Sequence, residues 1–346
     1  MEEKAPDILN RSVEEIMSRN PITVSSNTPL LRAQSLMFVH KVGRLPVIDQ
    51  DGNLIGIISK RDIFRAIIKP HIPLHKEEGF FDWLAKYYDD IVDWRVRLGA
   101  EVPSLVALFR KEKVKKVLDV ACATGEHAIA LAKRGYEVYG IEKSSAMIRE
   151  AKEKTNALDR EVRKRLHFVS GNYKELVYDI PTDFDAVIFM GNTLSDILRS
   201  ERGVMEEIVK VTNPQKAIMI FQISNFHKIL GKQGGGPRDF STQNIGGKKG
   251  FKRVFFSFYT RASRETVRIS RAVFELQFGE WMLKGINSTS ASYITEQEIK
   301  EKLRKIGFLD IKLYGGASRY ASLFERPFHP NQDFWMNVVA KRQKKK

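Results

Sequence analysis

Short continuous apolar runs alternate with helical segments through the middle of the chain. The runs stand at residues 166–169, 186–190 and 217–221, and such runs are typical of parallel strands that are buried on both faces. Helical segments alternate with them, at residues 145–154 and 203–211. The alternation predicts a doubly wound α/β sheet, whose ligand binds at the carboxyl ends of the strands.

The pattern changes after residue 231. Glycine-rich residues 232–250 predict a mobile loop, and the three segments that follow alternate between apolar and polar residues as antiparallel strands do. We interpret them as an insert that roofs the ligand pocket before a last helix and two more strands. The three segments are 253–259, 266–278 and 280–293, the helix is 295–306, and the last strands are 310–314 and 334–340.

The N-terminal part of the chain has a separate βαββα pattern. A short helix begins at Val13 and ends at Asn20-Pro21, because the residue before proline avoids helical conformations. The Asp51-Gly52 pair is a hairpin signal between two strands. The predicted elements after the first helix are strand 22–24, helix 30–42, strands 44–48 and 54–58, and helix 60–68.

A candidate nucleoside site begins at the run Val117–Val120. This apolar strand is followed by a run of small residues that ends at Gly125, and then by an alanine-rich helix. In such a turn the backbone approaches a ligand closely, and unpaired helix N–H groups point at it. Glu142 ends the next predicted strand, seventeen residues past Gly125. A carboxylate there is placed to accept two hydrogen bonds from a ribose diol. A dinucleotide site is a weaker interpretation, because the G-x-G-x-x-G spacing is not met.

Composition narrows the class of protein. The chain of 346 residues has room for two domains, and no segment is long and apolar enough to be a membrane span, so we expect a soluble cytoplasmic protein. Cys122 is the only cysteine, which excludes an internal disulfide and a cysteine-based zinc cage. We expect it to be a packing residue rather than a catalytic thiol, and we predict no metal site.

The net charge of +16 suits an anionic partner such as RNA, but 42 acidic residues accompany the 58 basic ones, as on a charge-rich surface.

Residues 11–69 resemble a CBS domain, the cystathionine-β-synthase module. The resemblance is carried by I-M-S-R-N-P-I-T-V, R-L-P-V-I-D and G-I-I-S-K-R-D-I-F. It implies that Ser59 faces the phosphate and Asp62 the ribose hydroxyls of an adenine nucleotide. The alternative for Asp62 is an acid that stabilises a helix N-terminus. Because CBS motifs normally occur in tandem and this copy is single, the resemblance also implies a homodimer.

The stretch V-L-D-V-A-C-A-T-G at Val117–Gly125 resembles motif I of the class I S-adenosylmethionine-dependent methyltransferases. Ala121 and Ala123 replace two glycines of the usual D-x-G-x-G-x-G pattern, and Gly125 keeps the third. An alanine methyl narrows the turn, and we expect it to forbid the positive φ that glycine allows. Residues 184–193, F-D-A-V-I-F-M-G-N-T, resemble more specifically the glycine N-methyltransferases and their relatives.

This second resemblance implies the residues that hold S-adenosylmethionine. Arg97 would bind the cofactor carboxylate, although an exposed helix arginine is the alternative. Asn172, after Gly171, would accept a hydrogen bond from the adenine amino group. Tyr88 belongs to an aromatic helical segment, 80–90, that would lie over the cofactor or serve only for packing. The implied cofactor set is completed by Asp119, Ala121, Ala123, Gly125, Glu142, Lys143, Tyr173, Met190 and Gly191.

Asn192 and Asn225 are the candidate catalytic residues. The resemblance places Asn192 beside the transferred methyl group and Asn225 in an Asn-aromatic pair. Glycine-methylating enzymes carry an arginine just before that pair, for the substrate carboxylate, where this chain has Ser224. The loss of this charge argues against glycine as the acceptor.

The sequence thus predicts a two-domain enzyme. A small α+β CBS domain at residues 1–72 and a linker at 73–79 precede a methyltransferase domain at 80–346, a Rossmann-like sheet with an inserted antiparallel roof. The expected reaction is methyl transfer from S-adenosylmethionine to a nitrogen or oxygen atom of a small molecule. An RNA methyltransferase and a non-catalytic adenosyl-ligand sensor are the alternatives.

Overall fold

The chain divides into two compact units, Met1–Ile72 and Pro73–Lys346. The computed structural model describes residues 12–60, 62–63, 66, 79–176, 178–201, 203–231, 235–243, 252–277, 280–316, 318 and 320–342. The predicted linker lies outside the described residues except for Gly79, and the predicted helix 60–68 falls only partly within them.

The first unit has the predicted order of elements from α1 to β3. Its three strands form one sheet in the order β1-β2-β3, with β1 parallel to β2 and β2 antiparallel to β3. The hairpin turn at Asp51-Gly52 is confirmed, and Gly52 has the positive φ of 83° that favours glycine. Buried residues on the helix and the strands, among them Met37 and Leu45, form its core. The elements are α1 Val13–Ile16, β1 Val24–Ser25, α2 Leu30–Val39, β2 Arg44–Ile48 and β3 Leu54–Ser59.

The second unit is built on an eight-stranded sheet with the order β14-β13-β15-β8-β7-β4-β5-β6. The described strands of this unit are β4 Lys116–Val120, β5 Glu137–Glu142, β6 Leu166–Ser170, β7 Ala186–Phe189, β8 Ile218–Ser224, β9 Gly235–Gln243, β10 Lys252–Arg261, β11 Thr266–Gln277, β12 Glu280–Ser292, β13 Phe308–Gly316, β14 Arg326–Pro327 and β15 Trp335–Arg342. From β8 to β6 all neighbours are parallel, whereas β15 is antiparallel to β8 and to β13. The chain runs outward from β4 to β6 and returns to β7 on the other side of β4. Its loops therefore diverge at the carboxyl ends of β4 and β7, the position where sheets of this kind bind ligands.

The helices of this unit are α3 Phe80–Ile91, α4 Trp94–Lys111, α5 Glu126–Ala132, α6 Ser145–Thr155, α7 Arg160–Arg163, α8 Tyr173–Leu176, α9 Thr193–Ser200, α10 Val204–Lys210, α11 Phe226–Leu230 and α12 Glu296–Lys305. Two apolar cores lie on opposite faces of the sheet. Leu118 and Val187 belong to one core, and their chain neighbours Val117 and Ile188 belong to the other. Burial on both faces explains the continuous apolar runs, and the predicted α/β class is confirmed.

The antiparallel insert forms a second sheet with the order β12-β11-β10-β9. The predicted mobile loop at 232–250 is wrong for residues 235–243, which form β9 and pair with β10. The physical reason is that β10 would otherwise leave one row of backbone N–H and C=O groups unpaired, and an edge strand tolerates the glycine and proline of this segment. Residues 232–234 and 244–250 lie outside the described residues.

Gly140, in the middle of β5, is a position where packing demands glycine. A Cβ atom there would stand 2.7 Å from two ring carbons of Phe168 and 2.8 Å from the Cys122 sulfur. We therefore expect Gly140→Ala to lower the free energy of unfolding by about 1–3 kcal/mol, the usual cost of overpacking. Chemical denaturation measures this change.

Gly99 is the matched control, because it lies in α4 and a Cβ there meets no atom within 4 Å. Gly99→Ala is expected to stabilise the protein by about 0.4–1 kcal/mol. A loss of stability at Gly99 equal to that at Gly140 would contradict the packing argument.

Candidate functional site

Two cavities meet where the sequence places the ligand site. The first, the strand-end cavity, has a volume of 310 Å³ and is lined by the ends of β4 and β5, including Ala121, Ala123 and Glu142. The second, the aromatic cavity, has a volume of 110 Å³ and is lined by rings that include Tyr259 and Tyr320. Six residues line both cavities, so the two spaces adjoin: Phe80, Phe81, Tyr88, Gly191, Asp196 and Thr289.

The turn after β4 keeps its glycine-like backbone in spite of its alanines. Ala121 has φ 52°, Ala123 has φ 49° and Gly125 has φ 79°. The expectation that alanine forbids positive φ here is wrong. A left-handed alanine costs about 1–2 kcal/mol, so the surrounding contacts must hold this turn in place.

Gly125 is required for a steric reason as well. A Cβ atom there would lie 2.5 Å from the ring of Phe168 and 3.0 Å from the Ala151 Cβ. The turn therefore passes close to β6 and α6, which leaves its other side open to the strand-end cavity.

Glu142 cross-links the turn to the end of β5. Its carboxylate accepts hydrogen bonds from the amide of Ala123 (2.9 Å) and the amide of Ser144 (2.9 Å). The hydroxyl of Tyr173 donates a third, at 3.4 Å. The side chain is buried, and burial raises its pKa although the backbone donors oppose this. A carboxylate offers about four lone-pair sites, so Glu142 can still accept from a hydroxyl in the cavity.

Helix α3, which precedes β4 in the chain, forms one wall of the strand-end cavity. Asp82 accepts from the Ser144 hydroxyl at 2.6 Å, and Asp89 accepts from the Thr124 hydroxyl at 2.6 Å. These two contacts bind α3 to the ends of β5 and β4. They put Tyr88 of the same helix at the junction of the two cavities, where the sequence predicted it.

A buried charged network lies beneath the turn. Glu101 accepts from Arg97 Nε (3.1 Å) and from the Gln222 side-chain amide (2.7 Å), and it pairs with His127 Nε2 (2.7 Å). Arg97 also donates to the Gln222 side-chain oxygen at 2.9 Å and lines the aromatic cavity. Arg97 is only 6% exposed, so the alternative of an exposed helix arginine is wrong.

The network controls the ionisation of its members. Burial alone would raise the pKa of Glu101, but the charge of Arg97 and the hydrogen bonds of His127 and Gln222 outweigh it and lower the pKa to about 2. Burial lowers the pKa of His127 although Glu101 opposes this. The roles of Glu101, His127 and Gln222 could not be predicted from the sequence, because the three residues are far apart in the chain.

Asp119 is the one predicted cofactor residue whose charge is strongly disfavoured. Burial, and then repulsion from Glu142, raises its pKa to about 8. One of its oxygens is buried without a hydrogen-bond partner. Asp119 is therefore a mostly neutral acid beneath the turn at neutral pH, and neither cavity is lined by it.

The other predicted cofactor residues divide by position. Lys143 and Tyr173 line the strand-end cavity, and Gly191 lines both cavities. Met190, Gly171 and Asn172 line neither. The side-chain oxygen of Asn172 accepts from the Lys174 amide at 3.0 Å, so it stabilises the start of the next helix.

The two candidate catalytic asparagines have different surroundings. Asn192 lines the aromatic cavity, and its side-chain oxygen accepts from the Ser224 amide at 2.9 Å. Asn225 lines neither cavity. Its amide donates to the carbonyls of Pro330 (2.6 Å) and Asp333 (2.8 Å), which is the role of a residue that fixes backbone. Asn192 therefore faces a cavity and Asn225 does not, and the catalytic role of Asn192 stays a prediction.

The predicted nucleotide residues of the first unit contact each other. Asp62 accepts from the Ser59 amide at 2.9 Å and from the Ser59 hydroxyl, and the Asp62 amide donates back to that hydroxyl at 3.2 Å. This reciprocal arrangement resembles a capping box. It supports the helix-stabilising alternative for Asp62 and leaves its ligand role as a prediction.

Two family models match the chain. The CBS domain matches residues 13–69 and the methyltransferase domain matches residues 117–215. No described helix is long and apolar enough to cross a membrane, and the described residues contain no metal-binding group of three or more His, Cys, Asp or Glu side chains.

Similar proteins cover most of the second unit. The chain is 24% identical over 274 residues to a glycine/sarcosine N-methyltransferase from Aphanothece halophytica, which covers 77% of this chain and 91% of that protein. A protein of the same name from Parasynechococcus marenigrum is 25% identical over 269 residues, 77% of this chain and 86% of that protein. The structure of the CcbJ methyltransferase from Streptomyces caelestis superposes with a TM-score of 0.56 at 20% identity, covering 78% of this chain and all of that one.

Glu101→Gln tests the buried network. The change leaves the guanidinium of Arg97 buried without its carboxylate, which typically costs about 3–5 kcal/mol. Because the folded pKa of Glu101, about 2, lies below its usual value, its stabilisation is present above about pH 4.5 and is lost as the pH falls toward 2. Denaturation from pH 7 to pH 2 should therefore show wild type and variant converging in stability at low pH.

Glu112→Gln is the control, because Glu112 pairs with Lys341 at a partly exposed site. Exposed pairs contribute about 0–1 kcal/mol, so this variant should stay within that range. Wild-type and Glu101→Gln curves that run parallel across the whole pH range would contradict the assignment.

Proposed function

We propose that this chain, which contains a CBS domain and a methyltransferase domain, transfers a methyl group from S-adenosylmethionine to a nitrogen atom of a small molecule. The observation that carries the proposal is the pair of adjoining cavities at the carboxyl ends of β4, β5 and β7. The strand-end cavity would hold the cofactor and the aromatic cavity would hold the acceptor. Nitrogen is favoured over oxygen because the two curated relatives are named N-methyltransferases.

The residues around the strand-end cavity fit the cofactor. Glu142 retains acceptor capacity for the ribose hydroxyls, and the left-handed turn at Ala121 and Ala123 lines the space beside it. Arg97 would bind the carboxylate of the cofactor from the aromatic side, because its guanidinium is held beside Gly191 by Glu101 and Gln222. Tyr88, Lys143, Tyr173 and Gly191 would complete the contacts.

Alignment of the acceptor is the main task of the protein. S-adenosylmethionine supplies a methyl group that its sulfonium already activates, so the transfer needs little acid-base help beyond a free lone pair on the acceptor. Asn192 is fixed at the start of α9 by its contacts with Gln222 and Ser224. Its side chain would orient the acceptor in the aromatic cavity. The RNA and non-catalytic alternatives gain no support from the comparisons.

We further propose that the CBS domain pairs with a second copy and binds an adenine nucleotide. Two apolar residues on one face of β3 support the pairing, because Ile55 and Ile57 are each more than half exposed. A single CBS unit would cover such a sheet face with its counterpart in a homodimer. A chain that sediments only as a monomer would contradict this pairing.

Glu142→Gln tests the cofactor site. An amide retains one acceptor oxygen but loses the charge, and hydrogen bonds to charged groups contribute about 1.5–3 kcal/mol. We therefore expect S-adenosylmethionine to bind about 10- to 150-fold more weakly, as measured by calorimetry. Glu137→Gln, at the other end of the same strand, is the control and should bind the cofactor as the wild type does. Unchanged affinity in Glu142→Gln would remove the ribose role.

Asp62→Ala tests the nucleotide site of the CBS domain. The full chain is first saturated with S-adenosylhomocysteine, so that the methyltransferase domain is occupied, and AMP or ATP is then titrated. We expect the wild type to bind one of them and Asp62→Ala to bind it at least about 10-fold more weakly, because a charged acceptor is lost. Asp51→Ala, in the exposed hairpin turn, should bind normally. If neither nucleotide binds the wild type, the domain has no such site.

A further inference from the structure

Two charged side chains of opposite sign line the aromatic cavity without a partner. Asp196 is on α9 and Arg271 is on β11 of the inserted sheet. One oxygen of Asp196 and the Nε of Arg271 are buried and have no hydrogen-bond partner. Arg271 lies near enough to Asp196 to oppose the rise that burial causes in the pKa of Asp196.

A buried polar atom without a partner, on each of two ionisable side chains, needs an explanation. Leaving one buried polar group without a partner costs about 1–3 kcal/mol, and more when the group is charged. Asp196 and Arg271 share a cavity and yet form no ion pair with each other within the described part of the chain. A ligand that carries both a cation and an anion would satisfy the two side chains at once.

We propose that Asp196 and Arg271 are the acceptor-binding pair, and that the acceptor is a small zwitterion whose ammonium group lies at Asp196 and whose anionic group lies at Arg271. This inference rests on the proposed methyltransferase function and names its substrate class. The cavity of 110 Å³ suits a small acceptor, and its aromatic walls suit a cationic amine. A guanidinium presents two parallel donors to a carboxylate.

Arg271 also supplies a positive charge that the chain lacks at Ser224. By resemblance, Ser224 stands where glycine-methylating enzymes carry an arginine, and the absence of that arginine argues against glycine as the acceptor. Ser224 lines the same cavity as Arg271, so a cation is present after all, supplied by the inserted sheet. No sequence alignment at Ser224 could reveal this, because Arg271 lies 47 positions further along the chain.

Asp196 would also receive the proton that the acceptor must lose. An ammonium group has no lone pair, so one N–H proton passes to the Asp196 carboxylate and the freed pair forms the new N–CH₃ bond. The S–CH₃ bond of the sulfonium breaks, S-adenosylhomocysteine leaves as a neutral thioether, and the Asp196 proton returns to solvent. Asp196 also lines the strand-end cavity, so it stands between the acceptor space and the cofactor space.

The ionisation of Asp196 agrees with this role. Burial raises its pKa to about 7, with Arg271 lowering it and Glu142 raising it. A base whose pKa lies near the working pH is the most effective proton acceptor. The other titratable side chains that line the two cavities are Asp82, Tyr88, Arg97, Lys143, Tyr173, Tyr259 and Tyr320.

Arg271→Met tests the anion-binding half of the pair. Labelled methyl transfer is measured from S-adenosylmethionine to glycine, sarcosine and β-alanine, and to the corresponding amides, which lack the carboxylate. We expect the wild type to prefer the zwitterions. We expect Arg271→Met to lose about 10- to 150-fold in kcat/KM for them, because a charged hydrogen bond is removed, and to lose little for the amides.

Arg268→Met is the matched control, because Arg268 lies on the same strand and is exposed. It should leave the preference of the enzyme unchanged. Calorimetry with S-adenosylhomocysteine should show that both arginine variants bind the cofactor product as the wild type does, which separates an acceptor defect from a cofactor defect.

Asp196→Asn tests the proton-accepting half. Near neutral pH we expect a loss of about 10²- to 10⁴-fold in kcat, the usual contribution of a general base. Activity should recover in part above pH 9, where the acceptor is already deprotonated in solution. A variant with only a structural defect would show no such recovery.

The experiments distinguish a failure of this inference from a failure of the proposed function. If the amides are methylated as well as the zwitterions, or if no member of the panel is methylated by a protein that binds S-adenosylmethionine, the inference is overturned and the proposed function stands. If the wild type fails to bind S-adenosylmethionine, the proposed function itself is overturned.

Discussion

The carboxylate of Glu142 holds together the part of the molecule on which both cavities depend. It accepts backbone hydrogen bonds from Ala123, in the turn after β4, and from Ser144, after β5. The turn needs such support, because Ala121 and Ala123 are left-handed and each costs about 1–2 kcal/mol in that conformation. A glycine turn would adopt this shape more cheaply. Here the shape is kept by a buried charge, so the residue that would bind the ribose also maintains the turn beside it.

Helix α3 is also held by residues at the ends of β4 and β5. Asp82 accepts from the hydroxyl of Ser144, the residue whose amide donates to Glu142, and Asp89 accepts from the hydroxyl of Thr124, inside the turn. The helix is thereby fixed to both strand ends, and its face supplies Phe80, Phe81 and Tyr88 to the two cavities. Because these contacts are short polar bonds to a strained turn, a change in the turn would also displace the helix that lines both the strand-end cavity and the aromatic cavity.

The parts of the structure that could be predicted from the sequence are those encoded by near neighbours. The strand, turn and helix at 116–132, the position of Glu142 and the hairpin at Asp51-Gly52 follow from local pattern. The network of Glu101, Arg97, His127 and Gln222 could not be predicted, because its members come from three separate segments that only the folded sheet brings together. Strand β9 was missed for a related reason: its glycine-rich sequence indicates a loop, and pairing with β10 outweighs that local preference.

The two cavities are built from differently arranged parts of the chain. The turn and the carboxylate beside the strand-end cavity, at Ala121, Ala123 and Glu142, come from one contiguous βαβ unit, so they can be predicted from the local sequence. The aromatic cavity is lined by Asp196 from α9, Arg271 and Tyr259 from the inserted sheet, and Tyr320 from a late loop. Each can change without disturbing the turn at Ala123 or the carboxylate at Glu142. A charge lost at one acceptor position, as at Ser224, can therefore be supplied from another element. On the proposed function, the charges that face the aromatic cavity, rather than any single motif position, would select the acceptor.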